Sequence, residues 1–250
     1  MIKKRRLFIP FLLIVLVGTG CKNGALDLVD QGKNKIIQTT QQIRFDLSGS
    51  AKEHAMIEGV PFIQQLPELR RGCEVTSLTM LLQYNGIQTD KMKLAKEIER
   101  VPFKQNQIHG NPNDGFVGDI YSTSNPGYGV YHKPIYRLAQ TYAPNKVMDL
   151  TGRDIADIYK SVSMGSPVWV ITNTTFEPLP DSEFETWSTK DGDVKITYHE
   201  HSVVIVGYDN NNVYVQDPLA DGPKSAIPRD NFEKAWEQMG KQAIAIIPKI

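Results

Sequence analysis

"LPELRRGCEVTSLTMLLQYNG", residues 66–86, is the stretch that decides the fold of this chain. Its apolar residues recur at the spacing of one helical face: Val75, Leu78, Leu81 and Leu82. The Asn85-Gly86 pair that follows them is typical of a helix end. The pattern therefore predicts a core helix from Cys73 to Tyr84, with the cysteine in its first turn.

Cys73 stands where a thiol can be reactive. The first turn of a helix offers unpaired backbone N–H groups and the positive end of the helix dipole, and both stabilise a thiolate. Glu74 opposes this effect with its own negative charge, unless its side chain diverges from that of Cys73, as adjacent helical side chains do. The alternative is that Cys73 is an inert, buried apolar residue.

The composition is that of an ordinary globular chain. Of its 250 residues, 40% are hydrophobic and 22% are charged, which is enough for one core or two small ones. The formal net charge is zero, but the first 20 positions hold four of the 28 basic residues and no acidic ones. The remaining chain is weakly acidic, with 24 basic against 28 acidic residues, which argues against a nucleic-acid partner.

The N-terminus, "MIKKRRLFIPFLLIVLVGTGC", has the order of a secretory signal: basic residues, an apolar stretch and small residues. The apolar part, residues 7–18, is shorter than the roughly 20 residues of a spanning helix. Its ending resembles a bacterial lipoprotein signal, in which Cys21 carries lipid, although Gly18 stands where leucine is usual. We therefore expect a signal peptide at 1–20 and anchorage to the outer face of the cell membrane, with plain secretion as the alternative.

Two further expectations follow from that N-terminus. Residues 21–58 are polar and lack sustained periodicity, which indicates a tether between the lipid anchor and a domain at 59–250. The chain has two cysteines, Cys21 and Cys73, so lipid on Cys21 leaves Cys73 without a disulfide partner in the chain.

The rest of the domain has predicted helices first and predicted strands after them. Helices are expected at 91–99 after the N-cap Asp90, at 155–162 before Gly165, and at 232–239. The segments "SPVWVIT" (166–172) and "AIAII" (243–247) predict buried strands, while 187–198 and 201–218 predict hairpins. Helices followed by an antiparallel sheet indicate an α+β domain.

Residues 101–133 form a long segment rich in glycine and proline. Irregular segments of this length inside a compact domain are usually binding surfaces or lids. An ordinary surface loop is the alternative interpretation.

His201 and Asp217 occupy the open end of the second predicted hairpin. A turn centred near Asp209 would place them directly opposite each other, whereas a later centre would offset them by about three residues, roughly 10 Å. If the strand extends back to residue 199, His199 lies on the same face as His201 and is an alternative base. A thiol, a base and an orienting carboxylate are the parts of a nucleophilic site, whereas no ligand spacing supports a metal site.

Three segments together resemble a known family: "PFIQQLPELRRGCEVTSLTMLLQYNG", "HGNPNDGFVGDIYSTSNPGYGVYHKPI" and "EHSVVIVGYDNNNVYVQDPLADG". They are similar to the peptidase-like domain of family thirty-nine of the cysteine peptidases. That family is named for enzymes that remove double-glycine leaders from bacteriocins, and it belongs to the papain-like superfamily. The chain resembles its exported, stand-alone branch from about Val60 to Ile247, which implies a papain-like α+β fold and no cofactor.

The resemblance also implies roles for individual residues. Cys73 would be the nucleophile, His201 the general base and Asp217 the group that orients it. Gln65 would be the side-chain donor to the oxyanion, with the adjacent Gln64 as an alternative. The implied cleft residues come from the glycine-rich segment and the neighbouring sheet: Gly110, Asn111, Asp114, Gly115, Gly118, Tyr128 and Trp169.

The sequence therefore predicts an extracytoplasmic thiol peptidase that acts on a peptide or protein substrate. One alternative on the same fold is a catalytically idle module for peptide binding or immunity. Another is a cell-wall amidase or a transglutaminase-like acyl transferase, although the Asp-Cys-Ser-Gly pattern of many wall hydrolases is missing. The complete set of Gln65, Cys73, His201 and Asp217 favours the enzyme.

Overall fold

Helices cover both faces of an antiparallel sheet in the computed structural model, which describes residues 22–247 and the side chains from residue 32 onward. The helices are α1 (Lys22–Leu47), α2 (Cys73–Tyr84), α3 (Lys91–Glu97), α4 (His132–Tyr142), α5 (Ile155–Ser163) and α6 (Arg229–Gln238), with a 3-10 turn at Asp181–Glu183. None of these described helices is both long and apolar enough to cross a membrane. The predicted signal peptide at 1–20 and Cys21 lie outside the described residues.

The strands are β1 (Ala55–Met56), β2 (Arg100–Val101), β3 (Lys104–Gln105), β4 (Ile108–His109), β5 (Phe116–Val117), β6 (Val147–Asp149), β7 (Val168–Asn173), β8 (Glu185–Thr189), β9 (Gly192–Ile196), β10 (Glu200–Tyr208), β11 (Asn212–Gln216), β12 (Ser225–Pro228) and β13 (Ala243–Ile246). Seven of them form the main sheet, in the order β12-β11-β10-β7-β13-β6, with β1 paired to β10 outside this path. Every pairing in the main sheet is antiparallel. Three two-stranded ladders, β2–β5, β3–β4 and β8–β9, lie outside it.

The predicted α+β architecture is confirmed, and most elements lie where the sequence places them. Helix α2 has the predicted bounds, and α3 begins after Asp90, whose side chain accepts the Lys93 N–H. Both predicted hairpins form, as β8–β9 and β10–β11. Helix α3 ends two residues earlier than predicted, since Ile98 has an extended ψ of 133°.

Two helices lie where the sequence predicts none. Helix α4 begins at the end of the glycine-rich segment and packs its buried Ile135 and Leu138 into the core. Helix α1 occupies most of the predicted tether and contacts the domain through Phe45, which is fully buried. Its other large apolar side chains in the described part are exposed, so no apolar stripe identifies it as a helix. The tether itself stays a prediction.

Two apolar clusters cover the two faces of the main sheet. One joins α5 and α6 with residues of β7 such as Val170. The other joins α2, α3 and α4 with residues of β7 such as Ile171. Cross-strand partners share a face, so Ser202, opposite Ile171, belongs to the α2 side of the sheet. His201, opposite Thr172, starts on the α6 side.

A bulge in β10 sets the register of the hairpin that it forms with β11. The turn spans 209–211, and next to it Tyr208 pairs with Val213. Beyond the bulge, Ile205 pairs with Val215. Strand β10 therefore has one residue more than β11 between these two pairs, as β-bulges do.

This extra residue decides on which face Asp217 falls. An unbroken register would carry Asp217 opposite Val204, whose side chain points away from that of His201. The shifted register carries it opposite Val203, on the face of His201 and two residues along the strand. Asp217 is thus offset from His201 by two residues along the sheet, whereas the sequence predicted either no offset or about three residues. The prediction did not include a bulge.

Candidate active site

Gly72, directly before the cysteine, allows the backbone at the start of α2 to lie close to the Leu69 side chain. A Cβ atom at this position would lie 2.5 Å from the Cβ of Leu69, which is itself fully buried. The loop before it is tied to the end of the hairpin, because the Gln65 N–H donates to the Pro218 carbonyl at 3.0 Å. Helix α2 therefore begins at Cys73 in a fixed position beside the hairpin's open end.

The Cys73 thiol is buried in polar surroundings. The residue is 7% exposed, and its Sγ atom donates a hydrogen bond to Oε2 of Glu74 at 3.4 Å. The backbone N–H of Ser202 in β10 donates to the sulfur. Burial, followed by the charges of Glu74 and Glu200, raises the pKa of the thiol well above its usual range. The thiol form therefore predominates at neutral pH.

Two carboxyl groups meet beside the sulfur. Oxygen atoms of Glu74 and Glu200 and the Sγ atom of Cys73 all lie within 4.8 Å of one another. They offer one sulfur and two oxygens as donors for a cation. Glu74 is fully buried, Glu200 is 9% exposed, and neither forms a salt bridge within the described part of the chain. Oε1 of Glu74 instead accepts the Val130 N–H at 2.7 Å.

The two carboxyl groups hold at least one proton between them at neutral pH. Burial raises the pKa of Glu74 to about 7, against hydrogen bonds that lower it. Burial also raises the pKa of Glu200 well above its usual range, and the charge of Glu74 adds to this. The hydrogen bond between the two carboxyl groups raises the pKa of Glu200 and lowers that of Glu74, so Glu200 is the group that holds the proton.

Gly129 provides the space for this pair. A Cβ atom there would lie 2.5 Å from Oε1 of Glu74 and 2.7 Å from Oε2 of Glu200. Sequence reasoning considered Glu74 only as a neighbouring charge and did not identify Glu200. Nothing in the local sequence of β10 indicates that α2 will cover that side chain.

His201 and Asp217 form a buried pair. Nε2 of His201 lies 2.7 Å from Oδ1 of Asp217, and the residues are 1% and 8% exposed. The same oxygen accepts the Leu219 N–H at 2.8 Å. Burial raises the pKa of Asp217, but the hydrogen bond and charge of His201 outweigh this effect and leave the pKa below its usual range. The carboxylate therefore stays ionised and fixes the imidazole ring.

His199, the alternative base, lies outside this pair. Its Nε2 atom is 3.2 Å from Oε2 of Glu183, and its Nδ1 atom is 3.2 Å from the Thr174 hydroxyl. Its side chain is 40% exposed, against 2% for His201. These contacts favour His201 over His199 as the candidate base.

The sulfur of Cys73 contacts the backbone of the residue after His201, and no hydrogen bond joins Cys73 to His201 among the described residues. Ser202, whose N–H reaches the sulfur, directly follows His201 in β10. The His201 ring lies towards α6, with its centroid 6.1 Å from that of Phe176. Ser202, whose backbone reaches the thiol, and His201 thus present their side chains on opposite faces of β10 at its start.

Gln65 is buried, and its amide is engaged within its own loop. Nε2 donates to the Leu69 carbonyl at 3.2 Å, while Oε1 is buried without a partner in the described structure. Gln64 is exposed, and its amide donates to the Ala220 carbonyl at 3.0 Å. Burial favours Gln65 as the oxyanion donor, provided that its amide turns away from Leu69.

The glycine-rich segment borders a surface cavity of about 380 Å³. Its lining includes Gly110, Asn111 and Asp114, which are three of the predicted cleft residues. Gly115 and Gly118 are not part of that lining, and a Cβ atom at either position would collide with nearby backbone. Gly118 also has a φ of +79°, a conformation that favours glycine.

The last two predicted cleft residues are buried. Tyr128 is 6% exposed and packs edge-on against Trp187, with the ring centroids 5.2 Å apart. Trp169 is fully buried, and its Nε1–H donates to the Glu74 carbonyl at 3.0 Å. Trp169 therefore supports α2, and its predicted place beside a substrate cleft stays a prediction. The indole is covered by a helix that lies far away along the chain.

Comparisons with known proteins show the family of this chain. The sequence matches the Peptidase_C39 like family over residues 57–244. "Uncharacterized protein YvpB" of Bacillus subtilis (strain 168) is 46% identical over 203 residues, or 80% of this chain and 78% of that protein. The crystal structure of a "putative C39-like peptidase" from Bacillus anthracis matches with a TM-score of 0.78 and 57% identity, over 79% of this chain and 99% of that one. The resemblance and the fold predicted from the sequence are thereby confirmed.

Proposed function

We propose, because the chain belongs to the C39-like peptidase family, that it is a thiol peptidase whose Cys73 attacks the carbonyl carbon of a peptide bond. The observation that carries this proposal is the buried His201–Asp217 pair, with its 2.7 Å contact. The residue that follows His201 contacts the Cys73 sulfur at the start of α2. An imidazole fixed by a carboxylate beside a thiol at a helix N-terminus suits a cysteine nucleophile and its base.

In the proposed reaction, His201 takes the proton of the Cys73 thiol, the thiolate adds to the carbonyl carbon, and the carbonyl oxygen takes up the negative charge. The Cys73 backbone N–H and the Gln65 amide stabilise that oxyanion after the amide turns from the Leu69 carbonyl. His201 protonates the leaving amine, and a water molecule activated by the same imidazole then hydrolyses the thioester. Asp217 is a positioning residue, since it holds the ring.

Cleavage of a peptide library by the purified protein tests this function. We expect Cys73→Ala and His201→Ala to abolish cleavage, and Asp217→Asn to lower it by about 10²-fold or more because the ring loses its fixed orientation. His199→Ala is the matched control, since that imidazole is exposed and bonded to Glu183, and it should cleave like the wild type. Cleavage that survives Cys73→Ala would refute the scheme.

A catalytically idle peptide-binding module is the second candidate. The burial of the Cys73 thiol and its hydrogen bond to Glu74, instead of to an imidazole, favour this alternative. Iodoacetamide treatment of the folded protein separates the two candidates, with mass spectrometry of the peptide that contains Cys73. A thiol that stays unmodified across neutral pH, together with peptide binding by calorimetry and no cleavage, would establish the idle module.

A separate experiment distinguishes peptide hydrolysis from hydrolysis of the cell wall and from acyl transfer to an amine. Incubation with peptidoglycan fragments tests wall hydrolysis, and incubation of a cleaved peptide with an added primary amine tests acyl transfer. We expect free carboxyl and amino termini from peptides and no reaction with either alternative substrate. Amine incorporation at a rate above hydrolysis would favour an acyl transferase.

The proposed place of action is the outer face of the bacterial cell membrane, with lipid on Cys21. This part of the proposal is supported by the sequence of residues 1–21, with its basic head, apolar stretch and small residues before the cysteine. The weakly acidic composition of the remaining chain is consistent with a peptide partner and argues against a nucleic-acid partner.

A further inference from the structure

Cys73, Glu74 and Glu200 bring three donor atoms to one place in the fold. The Sγ atom and one oxygen of each carboxyl group all lie within 4.8 Å of one another. Helix α2 supplies two of these side chains and β10 supplies the third. The close ligand spacing that reveals most zinc sites in a sequence is therefore missing, and the cluster exists only in the folded chain.

The separation of sulfur and oxygen matches that of two ligands on one zinc ion. Zn–S bonds of about 2.3 Å and Zn–O bonds of about 2.1 Å, at a tetrahedral angle, set the two ligand atoms about 3.5 Å apart. Sγ of Cys73 lies 3.4 Å from Oε2 of Glu74. A small rotation of the Glu200 carboxyl group would bring its oxygen to the same ion as a third ligand.

Two buried oxygen atoms beside the cluster have no hydrogen-bond partner in the described structure. One is Oε1 of Glu200, a residue that is 9% exposed, and the other is Oγ of Ser202, which is fully buried. The two residues lie on the same face of β10, and the Ser202 N–H donates to the Cys73 sulfur. Buried oxygens without a partner are costly, and an ion with a coordinated water molecule would satisfy both.

The charge and the softness of the donors select the ion. When ionised, a thiolate and two carboxylates carry three negative charges, and no basic side chain contacts them in the described part of the chain. A divalent ion offsets two of these charges, whereas a monovalent ion offsets only one. A thiolate ligand favours zinc over calcium and magnesium, which prefer oxygen ligands.

An ion can enter the cluster from the side of Cys73 and Glu200. These residues are 7% and 9% exposed, whereas Glu74 is fully buried. Gly129 places no side chain against the two carboxyl groups, so they have room to adjust to a ligand. The three donors therefore form a pocket that is closed at Glu74 and open towards the proposed nucleophile.

We propose that Cys73, Glu74 and Glu200 form a zinc site that reversibly inhibits the peptidase. A sulfur bonded to zinc cannot attack a carbonyl carbon, so the bound ion prevents the step in which His201 would take the thiol proton. Inhibition rests on the proposed peptidase function, whereas zinc binding depends only on the three side chains.

The exchange of the ion is balanced. One Zn–S bond and two Zn–O bonds form, the S–H bond of Cys73 and the O–H bond of Glu200 break, and the two protons pass to solvent. One divalent ion replaces two protons, so the net charge of the buried group is unchanged. Loss of the ion returns both protons and restores the thiol.

Titration of the full-length, reduced protein with Co²⁺ tests the site, because Co²⁺ bound by a thiolate shows a sulfur-to-cobalt charge-transfer band. We expect one Co²⁺ per chain, a band that is lost in Cys73→Ser, and displacement of Co²⁺ by an equimolar amount of Zn²⁺, which binds such donors more tightly. A wild type without this band would overturn the proposal.

The two glutamates distinguish this site from a thiol that binds metal by itself. Loss of a residue that merely orients a ligand already costs about 10- to 100-fold in metal affinity, so calorimetry should show at least this loss of Zn²⁺ affinity in Glu200→Gln and in Glu74→Gln. Glu200→Gln decides the matter if Glu74→Gln does not fold by circular dichroism. Wild-type affinity in the folded variants would mean that the sulfur alone holds the ion, and the proposed site would be wrong.

His199→Ala is the matched control. Its imidazole is exposed and contacts Glu183, so it is the kind of surface group that collects metal ions without a built site. The variant should bind one Zn²⁺ with the affinity of the wild type. A loss of binding in this variant would place the ion at the surface and overturn the proposal.

Peptide cleavage in the presence of Zn²⁺ measures the regulatory effect. We expect half-inhibition of the wild type at the Zn²⁺ concentration that half-fills the site in calorimetry, and full recovery of the rate on addition of EDTA. Cleavage that continues when the site is saturated would overturn the inhibitory role. If the wild type cleaves no peptide even with EDTA, the proposed function fails, whereas the cobalt spectrum still decides whether the three side chains bind an ion.

Discussion

Single glycines position the groups that would react. Gly72 lets α2 begin against Leu69, and Gly129 lets the glycine-rich segment close over Glu74 and Glu200. At both positions a methyl group would occupy space that belongs to another side chain. The chemistry of the site thus depends on the absence of two side chains as well as on the presence of Cys73.

Gly129→Ala should destabilise the protein by roughly 1–3 kcal/mol, because a methyl group must push two buried carboxyl groups out of place. Chemical denaturation by urea measures this change. Gly222→Ala is the control, since a Cβ atom there meets nothing within 4 Å. Equal stability of the two variants would show that the carboxyl groups can move aside without cost.

Glu200→Gln should gain stability over the wild type as the pH rises. The pKa of Glu200 is raised in the folded protein by burial, so the folded state binds a proton that the unfolded chain releases above about pH 4. The free energy of unfolding of the wild type therefore decreases as the pH rises above that value. A glutamine does not titrate, so Tm measurements should show a similar Tm at pH 4 and an advantage of several degrees for the variant at pH 8. A difference in Tm between the variant and the wild type that is the same at pH 4 and at pH 8 would contradict the raised pKa of Glu200.

Among the elements, helix α1 is docked by few contacts. Phe45 is buried, with the Lys160 ammonium 4.7 Å from its ring centroid. Arg153 bridges Asp46 at 2.8 Å. The other large apolar residues of the described helix are exposed, so Phe45 is its main apolar contact with the domain, while Gln38 donates a hydrogen bond to the Tyr136 hydroxyl at 3.3 Å.

Phe45→Ala should therefore release α1 while the domain stays folded. Removing a buried phenylalanine costs about 3–5 kcal/mol when the site cannot relax, which exceeds what a few exposed ion pairs supply. Limited proteolysis should then cut within 32–47, faster than in the wild type. Ile43→Ala, at a residue that is 52% exposed, is the control and should leave the digestion rate unchanged.

At the scale of the whole molecule, α1 bears on where the domain sits. A helix of 26 residues is about 39 Å long, because the rise is 1.5 Å per residue. It starts one position after Cys21, the residue proposed to carry lipid. In the proposed location, this helix would lie between the lipid on Cys21 and the domain.

Cys21→Ser tests the anchor. We expect the wild type in the membrane fraction and the variant in the soluble extracellular fraction, since the lipid supplies the attachment. Fractionation with immunodetection gives the answer. A variant that remains with the membrane would mean that the apolar stretch, or another part of the chain, holds it there.

The sequence predicts the elements well and their contacts poorly. The period of apolar residues in 73–84 and the alternation in the hairpins are local patterns, and α2 and β10 appear as predicted. The partner of the thiol is not a local property, because Glu200 reaches Cys73 only after a strand and a helix pack together. The burial of Trp169 beneath α2 could not be predicted for the same reason. The glycine-rich segment obscures the start of α4, since composition there favours a loop.

The bulge in β10 has a consequence for the chain lengths that relatives of this protein can tolerate. Sixteen positions separate His201 from Asp217, and that count includes the additional residue. A homologue that loses one residue from the strand between them would keep the hairpin and its hydrogen bonds, yet present the carboxylate on the reverse side of the ribbon. Deletions and insertions in this region should accordingly occur in compensating combinations, and a single unmatched one would identify a descendant that has abandoned the imidazole–carboxylate contact.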